Sequence, residues 1–157
     1  IYYITMSLPI NFNIPRTYEI VGEGFDNLPT HVVNEIFKDG RPFSHFAEHW
    51  LDTNYDELEH VSGCKSHDFI NTGDNSIKYD EKTFTKKGCK YMPSSMIGTG
   101  RTFNQEEFES HANGLNYIIV SNVNFPIIKI KFITGSDLLV KYPNGKIPPS
   151  HHDSFFG

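Results

Sequence analysis

The fold is decided between residues 66 and 85, where Ser66-His-Asp-Phe-Ile70 and Ile77-Lys-Tyr-Asp-Glu-Lys-Thr-Phe-Thr85 flank the run Asn71-Thr-Gly-Asp-Asn-Ser76. The two outer segments carry β-branched and aromatic residues, and the middle run consists of residues that favour turns. This order predicts two antiparallel strands joined by a turn, which is a β-hairpin. A hairpin brings side chains that are distant in sequence next to one another.

Three polar residues of this hairpin, Asp68, Asp80 and Lys82, form the pattern with the clearest chemical meaning in the chain. Side chains alternate along a strand, so Asp80 and Lys82 share one face and Glu81 points to the other. If the hairpin forms, Asp68 lies beside Asp80, and two carboxylates of this kind can bind Mg²⁺. Two acids and a lysine around one metal ion are suited to the hydrolysis of a phosphodiester.

Composition is typical of one globular domain, since 38% of the 157 residues are hydrophobic and 14% are aromatic. The longest apolar runs are far shorter than the roughly 20 residues that cross a bilayer, and residues 1–5 lack the features of a signal peptide. Cys64 and Cys89 are the only cysteines, too few for a disulfide framework. We therefore expect no membrane insertion and a reducing compartment, the cytoplasm.

Charge argues against broad adhesion to nucleic acid, because 14 basic and 19 acidic residues give a formal net charge of −5. The balance is reversed locally, since between Lys78 and Arg101 bases outnumber acids. A positive field beside the hairpin favours local contact with DNA phosphates. The residues for which we expect such contact are Lys78, Lys86, Lys87, Lys90 and Arg101.

Helices and strands are predicted on both sides of the hairpin. Apolar residues at helical spacing predict two helices between Pro29 and about residue 51, divided at Gly40. Asn104 with an acid three residues later predicts an N-cap for a helix over residues 105–113. Two apolar runs then predict strands over 117–123 and 127–133.

The order of these elements predicts an α/β fold in which helices flank a mixed central sheet. We expect a single domain over residues 1–157. Residues 1–28 have no clear period and are interrupted by proline and glycine, which predicts an extended arm. The α/β core would cover residues 29–142, and residues 143–157 would form a loose tail.

The hairpin residues resemble the PD-(D/E)XK nuclease superfamily, to which many type II restriction endonucleases belong. The superfamily pattern has an acid on one strand, followed on the next strand by an acid and a lysine two positions apart. Asp68, Asp80 and Lys82 match these positions, whereas His67 replaces the proline that precedes the first acid. The order of elements over residues 29–123 is also similar, which implies a restriction-endonuclease-like fold.

The resemblance implies an Mg²⁺-dependent endonuclease that cuts double-stranded DNA, with Mn²⁺ as a substitute ion and a homodimer as one way to cut both strands. Asp68 and Asp80 would bind the metal, and Lys82 would orient the attacking water or stabilise the charge on phosphorus. The backbone carbonyl of Glu81 would be a further ligand. Glu48, on the helix before the strands, would be another acid near the ion.

A second constellation is His45-Phe-Ala-Glu48-His49, which spells the H-x-x-E-H signature of inverted zinc peptidases. Two histidines one helical turn apart would bind Zn²⁺, and Glu48 would act as the base. A third ligand would have to come from a downstream acid, for which Glu106, Glu107 and Glu109 are candidates. A zinc-dependent hydrolase is therefore an alternative function, and a core-packed helix with a surface histidine pair is the structural alternative.

Two more alternatives remain open. One is a structural zinc ion bound by four residues of suitable type but unusual spacing, namely His60, Cys64, His67 and Cys89. The other is a non-catalytic α/β interaction module, in which the charges of the hairpin only keep the edge of a sheet soluble.

Overall fold

The computed structural model describes residues 7–20, 28–63 and 66–157. Its main feature is a six-stranded mixed sheet with helices on both faces, so the predicted α/β class with a flanked mixed sheet is confirmed. Within the described ranges, none of the helices has the length and apolar character of a membrane span.

The large sheet has one parallel pair among its otherwise antiparallel neighbours. The strands are β1 (Arg16–Glu19), β2 (Leu58–His60), β3 (Phe69–Asn71), β4 (Lys78–Phe84), β5 (Cys89–Lys90), β6 (Asn116–Asn124), β7 (Ile127–Thr134) and β8 (Lys146–Ile147). The large sheet has the order β1-β7-β6-β4-β3-β2, and β5 pairs separately with β8. Strands β4 and β6 are the parallel pair, because a helical crossover connects them.

Helices cover the sheet on both sides. They are α1 (Thr30–Lys38), α2 (Gly40–Asn54), α3 (Gln105–Asn113), α4 (Gly135–Lys141) and α5 (His152–Phe156). Helix α3 has the predicted bounds, because the Asn104 side chain accepts a hydrogen bond from the backbone N–H of Glu107 at 3.0 Å. This cap ends the preceding loop at the predicted residue.

Each face of the sheet has its own hydrophobic core. Tyr79 and Ile118 lie in the core under α1 and α2, whereas Phe84 and Tyr117 lie in the core under α3, α4 and α5. The alternation of side chains along β4 therefore directs odd-numbered residues to α2 and even-numbered residues to the opposite face. The charged residues in the middle of β4 follow the same alternation, so Glu81 points to α2, and Asp80 and Lys82 point to the opposite face.

The predicted hairpin is formed by β3 and β4, but the two strands pair over a short distance only. The register joins Phe69 to Tyr79 and Ile70 to Lys78. The N–H of Asp68 donates to the carbonyl of Tyr79 at 2.9 Å, and beyond this bond the strands separate. The open end of the hairpin forms a fork that starts at Asp68.

Two predictions about the chain ends need correction. Residues Arg16–Glu19 of the expected arm form an edge strand that pairs with β7, while residues 1–6 and 21–27 lie outside the described residues. The prediction of a loose tail over residues 143–157 is wrong. Strand β8 and helix α5 are packed there, and Phe155 and Phe156 are buried in the core because they fill the space beside Phe84.

Replacement of Phe155 by alanine tests this packing. The side chain is 3% exposed, so Phe155→Ala should lower the free energy of unfolding by about 3 kcal/mol. Urea denaturation measures the change. Val140→Ala is the control, because Val140 is 87% exposed and should be neutral. Equal stability of the two variants would show that the C-terminal segment does not contribute to the core.

Candidate active site

An open cleft with a volume of about 760 Å³ lies where β3 and β4 separate. It is bordered by the hairpin, by helices α2 and α3, and by the loop between β5 and α3. Six of the predicted site residues line this one cleft: Glu48, Asp68, Asp80, Glu81, Lys82 and Arg101.

Asp68 marks the start of the fork. One of its carboxylate oxygens, Oδ2, accepts a hydrogen bond from the backbone N–H of Glu81 at 2.9 Å. A side chain thus takes the place that the backbone of β3 would occupy if the strands continued to pair. Burial and the neighbouring charge of Asp80 raise the pKa of Asp68 to about 7. The predicted convergence of Asp68 and Asp80 is therefore present.

Asp80 and Lys82 lie on the same face of β4, as the alternation predicts. Oδ2 of Asp80 is 3.0 Å from Nζ of Lys82, and the two side chains are only 12% and 18% exposed. Burial alone would lower the pKa of Lys82, but the charge of Asp80 and the hydrogen bond to it outweigh burial and raise this pKa. The cleft therefore holds an ammonium that keeps its proton.

Glu81 projects to the opposite face of β4, toward α2. Its Oε2 accepts a hydrogen bond from Ser44 at 2.9 Å, and its Oε1 accepts one from Thr83 at 3.0 Å. Burial raises the pKa of this carboxyl well above its usual range. The side chain is thus fixed between two hydroxyl groups, while the backbone of the same residue supports Asp68.

Glu48 enters the cleft from α2 and is held by a histidine. Its Oε2 is 3.1 Å from Nε2 of His60, on β2. The ring of His49 lies 6.4 Å from the ring of His60, and His45 is exposed at the helix surface. Among the described residues, no three His, Cys, Asp or Glu side chains are grouped in a way that could hold a metal ion.

The four residues proposed for a structural zinc ion have different surroundings. Cys64 lies outside the described residues. Cys89 is buried in the core, where desolvation raises the pKa of its thiol to about 12. His60 contacts Glu48, and Nδ1 of His67 lies 2.8 Å from the hydroxyl oxygen of Ser66.

The predicted DNA-contacting residues are distributed over several surfaces. Arg101 lines the cleft and donates from Nη1 to the carbonyls of Ser94 and Ile97. Lys86 and Lys87 line a separate cavity of about 350 Å³, and Lys90 lines a third one of about 310 Å³. Lys78 is exposed at the start of β4. The structure does not gather these five side chains at one place.

The cleft also contains residues that were not predicted as site residues from the sequence, among them Ser44 and His111. Ser44 lies one helical turn before Glu48 on α2, and this spacing is a signal from which it could have been found. His111 reaches the cleft from the last turn of α3, and burial lowers the pKa of its ring. Its position depends on how α3 packs against the sheet, which no local pattern reveals.

The fold and the cleft together define a class: an α/β protein whose mixed sheet opens at one strand pair, so that two acids and a largely buried lysine line a cleft. No family model matches this chain, and neither a curated protein nor a solved structure matches it. The function therefore has to be inferred from the chemistry of the cleft.

Replacement of Asp68 by asparagine should stabilise the protein in metal-free buffer. The folded state raises the Asp68 pKa from 3.8 to about 7, so wild-type protein loses stability as pH rises through this interval. Asparagine carries no charge and can still accept the hydrogen bond from Glu81. Chemical denaturation with a chelator present should show that the advantage of Asp68→Asn grows with pH and levels off above about pH 7. A constant difference at all pH values would contradict the raised pKa.

Proposed function

We propose that this protein is an Mg²⁺-dependent endodeoxyribonuclease with a restriction-endonuclease-like fold. The observation that carries the proposal is the convergence of Asp68, Asp80 and Lys82 in one cleft. The order of elements around them supports it, because helix α2, the antiparallel strands β2 to β4, helix α3 and a strand parallel to β4 follow one another. This order is the one on which the resemblance to the PD-(D/E)XK superfamily rests.

The donor atoms of the cleft are suited to Mg²⁺. Asp68 and Asp80 present hard carboxylate oxygens, and the charge of Asp80 is one cause of the raised Asp68 pKa. Mg²⁺ in phosphoryl-transfer sites commonly binds one or two carboxylates together with water and substrate phosphate. These two acids would hold the ion, and the backbone carbonyl of Glu81 would be a further ligand. Glu48 and Glu81 both line the same cleft. When bound, the ion lowers the pKa of a coordinated water and polarises the scissile phosphate.

Lys82 supplies the positive charge of the protein itself. Its ammonium is kept protonated by Asp80 and faces the cleft, so a phosphate bound there meets a fixed cation. Such a charge stabilises the additional negative charge that develops on phosphorus in the transition state. Because Asp80 fixes the lysine at 3.0 Å, little reorganisation is needed when the phosphate arrives.

The remaining contacts of the cleft would position the substrate. Arg101 is anchored through Nη1, and arginine can donate two parallel hydrogen bonds to a phosphate or to a guanine edge. Glu48 is held at the border of the cleft by His60. Since one cleft cuts one strand, we expect a homodimer or two successive nicks for the cleavage of double-stranded DNA.

A supercoiled plasmid tests the proposed activity directly. In the presence of Mg²⁺ or Mn²⁺ the wild-type protein should convert it to open-circular or linear DNA. Asp80→Ala and Lys82→Met should each lower the rate at least about 100-fold, because each removes a charge that acts on the phosphate. Gel electrophoresis over a time course measures the rate.

Glu59→Gln is the matched control for these variants. Glu59 is an exposed acid on β2 and does not line the cleft, so its loss should leave the rate unchanged. Intact supercoils with wild-type protein under all ionic conditions, or equal rates for wild type and Asp80→Ala, would refute the nuclease proposal.

Binding of the ion can be tested without catalysis. Saturating Mg²⁺ or Mn²⁺ should raise the Tm of metal-free wild-type protein by about 5 °C, because the ion binds the folded state and relieves the repulsion of two acids. Asp80→Asn should abolish the shift, as measured by differential scanning fluorimetry. His49→Ala should retain it. Loss of the shift in His49→Ala, or a shift with Zn²⁺ alone, would favour the zinc hydrolase instead.

A further inference from the structure

The third cavity, lined by Lys90 and here called the side pocket, opens beside the cleft and has a volume of about 310 Å³. Its floor is apolar and its rim is basic and polar. The floor is formed by Met92, Met96, Ile97 and Phe103, and the rim by Lys90, Asn144 and Lys146. A pocket of this size is at the lower limit for the recognition of a small ligand or of one group of a larger one.

The floor offers a surface for a flat ring. Phe103 is 38% exposed, although its ring packs against that of Phe108 with centroids 5.5 Å apart. Met92 is buried, and Met96 is partly buried against the same core. Aromatic rings stack on nucleobases, and methionine side chains adapt to the shape of an apolar partner.

The rim carries two lysines that oppose one another. Lys90 and Lys146 are directly paired in the register of β5 and β8, and both are exposed. Among the described residues, neither ammonium lies within 4.0 Å of a carboxylate. Like charges at directly opposite positions of a strand pair are destabilising, and an anion between them would relieve the repulsion.

The side pocket and the cleft are separated by one short loop. Ser94 and Ser95 line the cleft, whereas Met96 and Ile97, which follow them directly, line the side pocket. Arg101 holds this loop from the cleft side, because its Nη1 donates to the carbonyls of Ser94 and Ile97. A nucleic-acid strand that crosses the loop would therefore contact both cavities with neighbouring nucleotides.

We propose that the side pocket binds an unpaired nucleotide of the substrate strand, with its base on Phe103 and its phosphate between Lys90 and Lys146. The proposal rests on the proposed nuclease function for the identity of the strand in the cleft. A base inside a continuous duplex is stacked and paired, so it cannot enter such a pocket without being extruded. The preferred substrate would then have a single-stranded nucleotide beside the scissile phosphate, as in an overhang, a flap or a gap.

The test uses a DNA flap that carries the fluorescent base 2-aminopurine at an unpaired position, with Ca²⁺ in place of Mg²⁺ to measure binding apart from cleavage. Stacking quenches this base, so wild-type protein should lower its fluorescence. Phe103→Ala should weaken binding about tenfold or more and abolish the quenching, because it removes the stacking surface. The double variant Lys90→Gln, Lys146→Gln should weaken binding and reduce its dependence on salt.

Two controls keep the test specific. Lys129→Gln removes a charge on β7 that lines neither cavity and should bind the flap like wild type. Circular dichroism should confirm that each variant is folded, and Phe103→Leu serves as a milder replacement if Phe103→Ala is not. Wild-type affinity and quenching in both pocket variants would overturn the proposal. So would a change from dimer to monomer in the sedimentation of the Phe103 variant, since the pocket would then hold a second copy of the chain.

Failure of this inference and failure of the nuclease proposal give different results. If the plasmid is cut but flap and continuous duplex bind equally to wild type and Phe103→Ala, only the side-pocket inference is wrong. If the flap is bound through Phe103 while no DNA is cut with any ion, the side-pocket inference is supported and the nuclease proposal is wrong.

Discussion

The candidate site depends on the separation of β3 from β4 at Asp68, on the side away from the turn. Two paired strands leave no room between them, and a cleft requires that the pairing stop without leaving a buried N–H unsatisfied. Asp68 meets this requirement, because its carboxylate accepts the hydrogen bond from the backbone N–H of Glu81, for which β3 no longer provides an acceptor. The same side chain therefore ends the hairpin, opens the cleft and places a second carboxyl group beside Asp80. The fold and the proposed chemistry share this one interaction.

The electrostatics of the cleft are costly for the folded protein and useful for the proposed reaction. Asp68 has a raised pKa because it is desolvated next to Asp80, and Lys82 is buried with Asp80 as its partner. Groups of this kind reduce stability unless a ligand compensates them, and they cluster at functional sites for that reason. A divalent cation between the acids and a phosphate beside the lysine would neutralise both signs of charge. In the side pocket, Lys90 and Lys146 also oppose one another, and a bound anion would reduce the repulsion between their charges.

The sequence predicted those parts of the structure that depend on neighbouring residues. The turn chemistry after Ile70 and the alternation along β4 were sufficient to place Asp68, Asp80 and Lys82 together, and Asn104 gave the start of α3. Packing between residues that are distant in the chain could not be predicted from local sequence patterns. The C-terminal segment contains prolines and histidines that indicate a loose tail, yet Phe155 is buried because the sheet leaves an apolar space for it. For the same reason the basic residues between Lys78 and Arg101 were predicted as one surface and lie on several.

Anomalous X-ray scattering from a crystal soaked in Mn²⁺ tests the central claim most directly. We expect a single strong peak at the fork of the hairpin, within about 2.5 Å of carboxylate oxygens of both Asp68 and Asp80. The Lys82 ammonium should remain next to this peak. The absence of a peak at the fork would contradict the proposed metal site. A peak between His45 and His49 instead would favour the zinc hydrolase.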